Sequence, residues 1–346
     1  MDVDLIQEFY TPASKETVDF RVSLIKQYPS FITYRKRISR TSSNSFNNYD
    51  LKKLSSFSAK GNIAKIIEYK DGKKLLSTHK GDVAEFSMNE VSDSYNSIYN
   101  HHNTRVSALA YDAKDDIIIS GGLDGTLIIG ASQQEMMLHN DRIVNLQRLN
   151  HSSHLISISH DSTWSLVDYN SCKKLYQQEG YSSPLTALTI SLYDNLLVTT
   201  DSNEFQLHDL RSGSLISRKT KAKNDTCHAM ALLPDNRQLV ASGVGNLKLF
   251  DLRYFDEKPA LSEILVHSGK VITSLDYKDN TIVTTGFNDG SIEFSNIANG
   301  KLTFLKEKNQ VAKKVVVSDD KLLCCKIMDD GIVYTGGFGA KVGMIH

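Results

Sequence analysis

From about residue 51 to its end, the chain is written in short apolar runs separated by turn residues. IIIS (Ile117 to Ser120), HLISIS (His154 to Ser159), NLLVTT (Asn195 to Thr200), QLVAS (Gln238 to Ser242), TIVTT (Thr281 to Thr285) and GIVYT (Gly331 to Thr335) are each rich in leucine or β-branched residues. They are short and bounded by Gly, Asp, Asn or Ser, the pattern of buried strands joined by tight turns. No stretch here sustains the apolar period of a helix, so this region is predicted to be all-β.

Residues 1–50 have a different texture. Glu16 to Tyr28 carries Val18, Val22, Leu24, Ile25 and Tyr28 at loosely helical spacing. A basic cluster follows, Tyr34-Arg35-Lys36-Arg37-Ile38-Ser39-Arg40, and then the polar run Thr41 to Asn48. That run has too little apolar content to bury itself and reads as a linker. The basic cluster could serve as a nuclear address, a docking site or a kinase target at Ser39, Ser42 or Ser43. A solvated charge run beside a linker is the simpler reading.

A repeat organises the all-β part. His102, His139 and His267 each precede a β-branched residue by four positions, at Val106, Ile143 and Val271. An aspartate stands 22 residues after each histidine, at Asp124, Asp161 and Asp289. Four residues before each aspartate stands a hydroxyl, at Ser120, Ser157 and Thr285. A strand end can deliver the hydroxyl, the following turn the carboxylate and the preceding loop the imidazole, so that buried polar groups satisfy one another. A catalytic triad would need a single oriented set with an oxyanion hole. Recurrence in three copies argues for scaffolding.

With these residues in view, the chain resembles the WD40-repeat family. The matching segments are SGGLDGTLIIG (Ser120 to Gly130), SISHDSTWSLVD (Ser157 to Asp168), EFQLHDLRSG (Glu204 to Gly213), NLKLFDLR (Asn246 to Arg253) and TTGFNDGSIEFSN (Thr284 to Asn296). The family's Trp position holds Gly130, Val167, His208, Phe250, Ser295 and Ile345, while its Asp remains at Asp168, Asp209 and Asp251. Aligned third-strand ends fall near 131, 168, 209, 251, 296 and 346, a spacing close to the roughly 40–45 residues of a four-stranded blade. A seventh blade fits residues 51–100, where Ala64 to Ser77 offers a strand, an Asp-Gly turn and another strand. The expectation is an all-β, seven-bladed propeller over residues 51–346, preceded by an extension over 1–50. The last blade lacks a strand at its C-terminal end, and the resemblance implies that an N-terminal strand closes the ring. Phe20 to Ile25 and Ser30 to Tyr34 are the candidates, and closure would remove open sheet edges.

Composition narrows the chemistry. The 346 residues carry 40 Lys plus Arg against 40 Asp plus Glu, so no global field attracts a polyanion and direct nucleic-acid binding is disfavoured. No apolar stretch is long enough to span a bilayer. The first residues lack the basic flank and apolar core of a secretory signal. The four cysteines, Cys172, Cys227, Cys324 and Cys325, form no Cys-x-x-Cys pair, as expected of reduced thiols in a cytoplasmic or nuclear protein. No Gly-x-x-x-x-Gly-Lys-Ser/Thr segment exists, and Gly336-Gly337-Phe338-Gly339 opens no helix, so no phosphate cradle is expected. His151, His154 and His160 do not converge as metal ligands at strand spacing. Asp115-Asp116, Asp319-Asp320 and Asp329-Asp330 fall at turns, where solvation explains them better than acid–base chemistry.

These readings favour a non-catalytic interaction scaffold, a subunit of a larger assembly with protein partners, no cofactor and no small-molecule substrate. The resemblance implies that the loop between second and third strands lies on the face most often used for partners. Just before the turn aspartate, that loop holds Leu123, His160, Asp201, Phe287 and Phe338, the candidate contact residues. The alternative is a substrate receptor of a ubiquitin-ligase system. HDLR ending in Arg211 and FDLR ending in Arg253 resemble the Trp-Asp-x-Arg box of such receptors without its Trp.

Overall fold

The six runs that announce strands all become the second strand of a blade, the position buried most completely. The computed structural model describes residues 54–88, 93–100, 102–130, 134–223, 225–267, 270–288, 290–304, 306–307, 310–311 and 315–345. Seven antiparallel sheets make up a ring. Blade 1 comprises Ile63–Glu68, Lys74–Thr78, Asp82–Met88 and Asp93–Asn100. Blade 2 comprises Val106–Asp112, Ile117–Gly122, Thr126–Ile129 and Gln134–Met137. Blade 3 follows with Ile143–Arg148, His154–Ser159, Trp164–Asp168 and Lys173–Gln178, and blade 4 with Ala187–Ile190, Leu196–Thr200, Glu204–Asp209 and Ser214–Thr220. Blade 5 contains Met230–Leu232, Gln238–Ser242, Asn246–Asp251 and Ser262–Leu265. Blade 6 contains Ile272–Lys278, Thr281–Gly286, Ser291–Ala298 and Lys301–Phe304, with Val315–Val316 added beside the start of its third strand. Blade 7 contains Leu322–Ile327, Val333–Gly337, Lys341–Ile345 and, from the other end of the chain, Leu54–Ser58.

The first strand of each blade packs against that of the next, in a circuit that returns to blade 1. Among the described residues, seven buried apolar clusters fill the seven gaps between neighbouring blades. A second strand is therefore covered on both faces, and Lys74–Thr78, His154–Ser159, Thr281–Gly286 and Val333–Gly337 are buried throughout. Two-sided burial explains why these strands read as continuous runs and not as alternating ones. Outer strands reach solvent, as Met137 illustrates at 68% exposure.

Polar bolts join the blades at both ends of the inner strands. At the entry end, Ser107 Oγ donates to Ile143 O, Thr186 Oγ1 to Cys227 O at 2.6 Å and Thr273 Oγ1 to Leu322 O at 3.0 Å, each reaching into the following blade. At the opposite end, backbone N–H groups of the next blade bind Gln147 (from Ile190), Thr189 (from Leu232) and Asp276 (from Ile327) at 2.8–3.1 Å. Each bolt satisfies a backbone group that the neighbouring blade would otherwise bury.

An N-terminal strand closes the ring, and it is not either expected segment. Leu54–Ser58 pairs antiparallel with Lys341–Ile345, from Leu54 opposite Ile345 to Ser58 opposite Lys341. Phe20 to Ile25 and Ser30 to Tyr34 lie outside the described residues, as do the loosely helical stretch and the basic cluster. The Asp-Gly turn of blade 1 is present, with φ of 56° at Asp71 and 70° at Gly72, the double positive φ of a tight hairpin.

A rim of recurring loops and its buried supports

The ring brings the start of each first strand and the end of each second strand to one rim of the central channel. In five blades, the residue after the second strand donates its N–H to the carbonyl just ahead of the first. The pairs are His79 to Asn62, Leu123 to Arg105, His160 to Arg142, Phe287 to Val271 and Phe338 to Lys321, at 2.9–3.1 Å. This one backbone bond sets Leu123, His160, Phe287 and Phe338 at equivalent places, all half-buried. Asp201 differs. It is fully buried, and its carboxylate accepts the N–H groups of Asn203 and Glu204 at 2.7 and 2.8 Å, which shapes a turn. His79 is the rim residue that the sequence reading missed, although it follows Thr78 as His160 follows Ser159.

The rim side chains touch one another, two of the contacts across blades and one within blade 3. The His79 and Phe338 rings meet edge to face, with centroids 5.3 Å apart. Lys321 Nζ lies over the Phe287 ring at 4.9 Å, and Arg142 Nη2 donates to His160 Nδ1 at 2.8 Å. Burial pushes His79 down to about 4, with Arg105 adding to the effect. Burial also lowers His160, and Arg142 adds to it.

Beneath the rim lie the polar sets. In blade 3, His139 Nε2 meets Ser157 Oγ at 2.9 Å, while its Nδ1 lies 3.1 Å from Asp161 Oδ2 and 3.0 Å from Thr163 Oγ1. Thr163 Oγ1 and N donate to Asp161 Oδ1, and Asn140 N donates to its Oδ2. Burial holds His139 below the usual imidazole range against the opposing pull of Asp161. A neutral ring with its proton on Nδ1 then gives to Asp161 and accepts from Ser157. Burial works against ionisation of Asp161, yet the bonds from Thr163, Asn140 and His139 hold its carboxyl below the usual range. Gly125 delivers this histidine. Its carbonyl accepts from Leu138 and His139, and at φ +80 any Cβ would lie 2.2 Å from His139 O.

The other sets vary. In blade 2, Ser120 Oγ bonds both His102 Nε2 at 2.7 Å and Tyr99 OH at 3.0 Å, while Asp124 accepts Thr126 N at 3.0 Å. In blade 6 the hydroxyl is Thr284 and not Thr285. His267 Nε2 lies 3.2 Å from Thr284 Oγ1, whereas Thr285 Oγ1 pairs with Thr273 at 2.9 Å. Counting back from Asp289 places the frame one residue late, and in a strand that exchanges one face for the other. Asp289 itself lies outside the described residues. Blade 4 holds a set without a histidine ahead of it. Tyr181 OH bonds Thr199 Oγ1 at 2.6 Å and His208 Nε2 at 3.1 Å.

Residues considered for other chemistry disperse. His154 begins a strand that His160 follows, which puts them at opposite ends of one blade. Among the described residues no group of His, Cys, Asp and Glu is arranged to hold a metal ion. No helix there is long and apolar enough to cross a membrane. The acidic pairs are exposed, and Asp116 and Asp329 pair with Lys70 and Lys278. Arg211 and Arg253 each fold back on the aspartate two residues earlier, Asp209 and Asp251, at the end of a third strand and hence on the face opposite the rim.

Against known proteins, the WD domain, G-beta repeat family matches residues 93–129, which span the outer strand of blade 1 and the first three strands of blade 2. No curated protein sequence matches the chain. Among solved structures, "Crystal structure of WD40 beta propeller domain of Doa1" superposes with a TM-score of 0.72 at 15% identity, covering 87% of this chain and 98% of that one. A chain of "Crystal Structure of Mitotic Checkpoint Complex" superposes with a TM-score of 0.71 at 16% identity, covering 91% and 95%. Blade count, recurrent polar sets and superposition agree, and the chain is a seven-bladed β-propeller of the WD40 type.

Proposed function

We propose that this propeller is a non-catalytic scaffold that holds protein partners on its rim of second-to-third-strand loops. The observation that carries this reading is the repeated backbone bond that fixes His79, Leu123, His160, Phe287 and Phe338 at equivalent, half-buried places around one channel mouth. A rigid ring can vary such side chains without disturbing its core. Aromatic groups among them are suited to anchoring a partner segment. The buried sets support the non-catalytic reading. The His139 side chain is out of contact with solvent, and comparable sets recur in several blades where one reaction centre would suffice. Burial also raises the thiols of Cys324 and Cys325, which removes them as nucleophiles.

The test is a co-purification with the Phe287→Ala/Phe338→Ala double variant. Loss of the proteins recovered by the wild type, with a nearly unchanged melting temperature, is the expected result. A large fall in melting temperature would assign the two rings to the core and withdraw the proposal.

A further inference from the structure

The rim is chemically lopsided. One side carries basic groups strung across blades: His79 follows a strand of blade 1, Arg105 precedes one of blade 2, Arg142 and His160 flank blade 3, and His228 stands ahead of blade 5. They are close enough to act on each other in series. Arg105 helps lower His79, Arg142 helps lower Arg105, and His160 and Lys221 help lower His228, in every case after burial as the main cause. The charged neighbours of His79, Arg105, His160 and His228 include one carboxylate among the described residues, that of Asp141 beside His160. Asp141 already accepts the backbone N–H of Arg142 at 2.6 Å. Arg142 and His228 are nonetheless open to solvent at the channel mouth. The other side of the rim is aromatic, with Phe338 against His79 and Phe287 beneath Lys321.

We propose that the rim takes an acidic segment of a partner protein, its carboxylates running along Arg105, Arg142, His160 and His228 and an apolar side chain seated at Phe287 and Phe338. This rests on the reading of the rim as the partner face and names the partner's chemistry. Arg105 and Arg142 place two positive charges on neighbouring blades, the imidazoles beside them are held neutral by burial and can donate an N–H, and Asp141 is the one carboxylate at hand among the described residues, so an acidic surface complements this arc. The arrangement favours carboxylates spread along a chain over one concentrated anion. The basic groups come one or two to a blade on blades 1, 2, 3 and 5, and an extended segment with spaced acidic residues can follow that arc past blade 4.

Fluorescence anisotropy with the full chain tests the proposal. The probe is a labelled twelve-residue Glu-rich peptide with one central Phe, set against the same peptide with Gln for Glu. The wild type is expected to bind the Glu peptide at least about tenfold more tightly, with the preference weakening as salt rises toward 0.5 M, as the interaction becomes screened. Arg105→Glu/Arg142→Glu should remove the preference. Arg105→Gln/Arg142→Gln should reduce it, and serves if the charge-reversed protein melts early. Equal affinity for both peptides, an unchanged preference in both arginine variants, or tighter binding of a single-stranded RNA oligomer than of the Glu peptide would overturn the proposal. Parallel co-purification separates the two claims. If partners are lost in the Phe287→Ala/Phe338→Ala variant and kept in the arginine variants, the rim remains the partner face and the acidic partner is refuted. If both keep them, both claims fall.

Discussion

In blade 3 the side chain that reaches down to the second strand is His139, and in blade 4 it is Tyr181. Each stands 18 residues before the hydroxyl it holds, Ser157 and Thr199. The difference lies in how many polar atoms must be satisfied. An imidazole buries two nitrogens, so blade 3 supplies a hydroxyl for one and the Asp161–Thr163 pair for the other. A phenol buries one oxygen, so blade 4 needs only Thr199 and a second contact from His208 on its third strand. Asp201 is then released to shape its turn. What recurs is reach and satisfaction at a fixed register, and the residue type follows from the partners at hand.

The largest expected effect lies in blade 3. Asp161→Ala strips partners from His139, Thr163 and the N–H of Asn140, and should cost about 1–3 kcal/mol in urea unfolding. Tyr181→Phe removes the one oxygen that Thr199 and His208 share, and should cost about 1 kcal/mol by the same measurement. A reversed order would show that the blade 4 set is the stronger fastener and break the comparison.

Acid should sharpen it next. Burial lowers His208 to about 4, with Arg218 adding to the effect, whereas Asp161 partly opposes the lowering of His139. Both therefore take up a proton more readily in the unfolded chain than in the folded one. Their contribution is fully present above the ordinary imidazole value of about 6.5 and is lost as pH falls through the lowered folded values, about 4 for His208. Melting temperature should fall across that window, and His208→Gln should flatten the fall more than His139→Gln. Equal flattening would mean that Asp161 gives no protection to the charged ring. The smallest effect is expected at Arg211 and Arg253, whose exposed pairing with Asp209 and Asp251 lies away from both sets. Arg211→Ala and Arg253→Ala should leave the melting temperature unchanged, since exposed ion pairs contribute little.

The architecture was legible because second strands covered on both sides must be written as unbroken β-forming runs, and six of them are. The polar sets were legible where the residue types are the familiar ones, as with His139, Ser157 and Asp161. Tyr181 is hidden because a phenol stands where the other sets carry an imidazole, although its 18-residue spacing to Thr199 matches. Thr284 escaped because two adjacent threonines left the frame ambiguous by one residue. The closing strand was misplaced because Leu-Ser-Ser-Phe-Ser holds few β-formers, and its pairing is supplied by a strand almost at the other end of the chain. The bolts from Ser107, Thr186 and Thr273 end on backbone carbonyls, which leave no mark in the sequence of the receiving blade.

That closing pair has a consequence for how the molecule comes to be. Leu54–Ser58 and Lys341–Ile345 are the first and last strands of the described chain, and blade 7 holds both. Blades 1 to 5 are assembled from contiguous segments, and each can form as its own four strands become available. Blade 7 must wait for the most distant partner in the molecule, and long-range pairings of this kind are slow. Until they meet, the outer edge of Lys341–Ile345 stands unpaired, and an open edge can capture a strand from another chain. The interval before ring closure is thus the time of greatest exposure to misassembly, and the five residues from Leu54 to Ser58 decide how long it lasts.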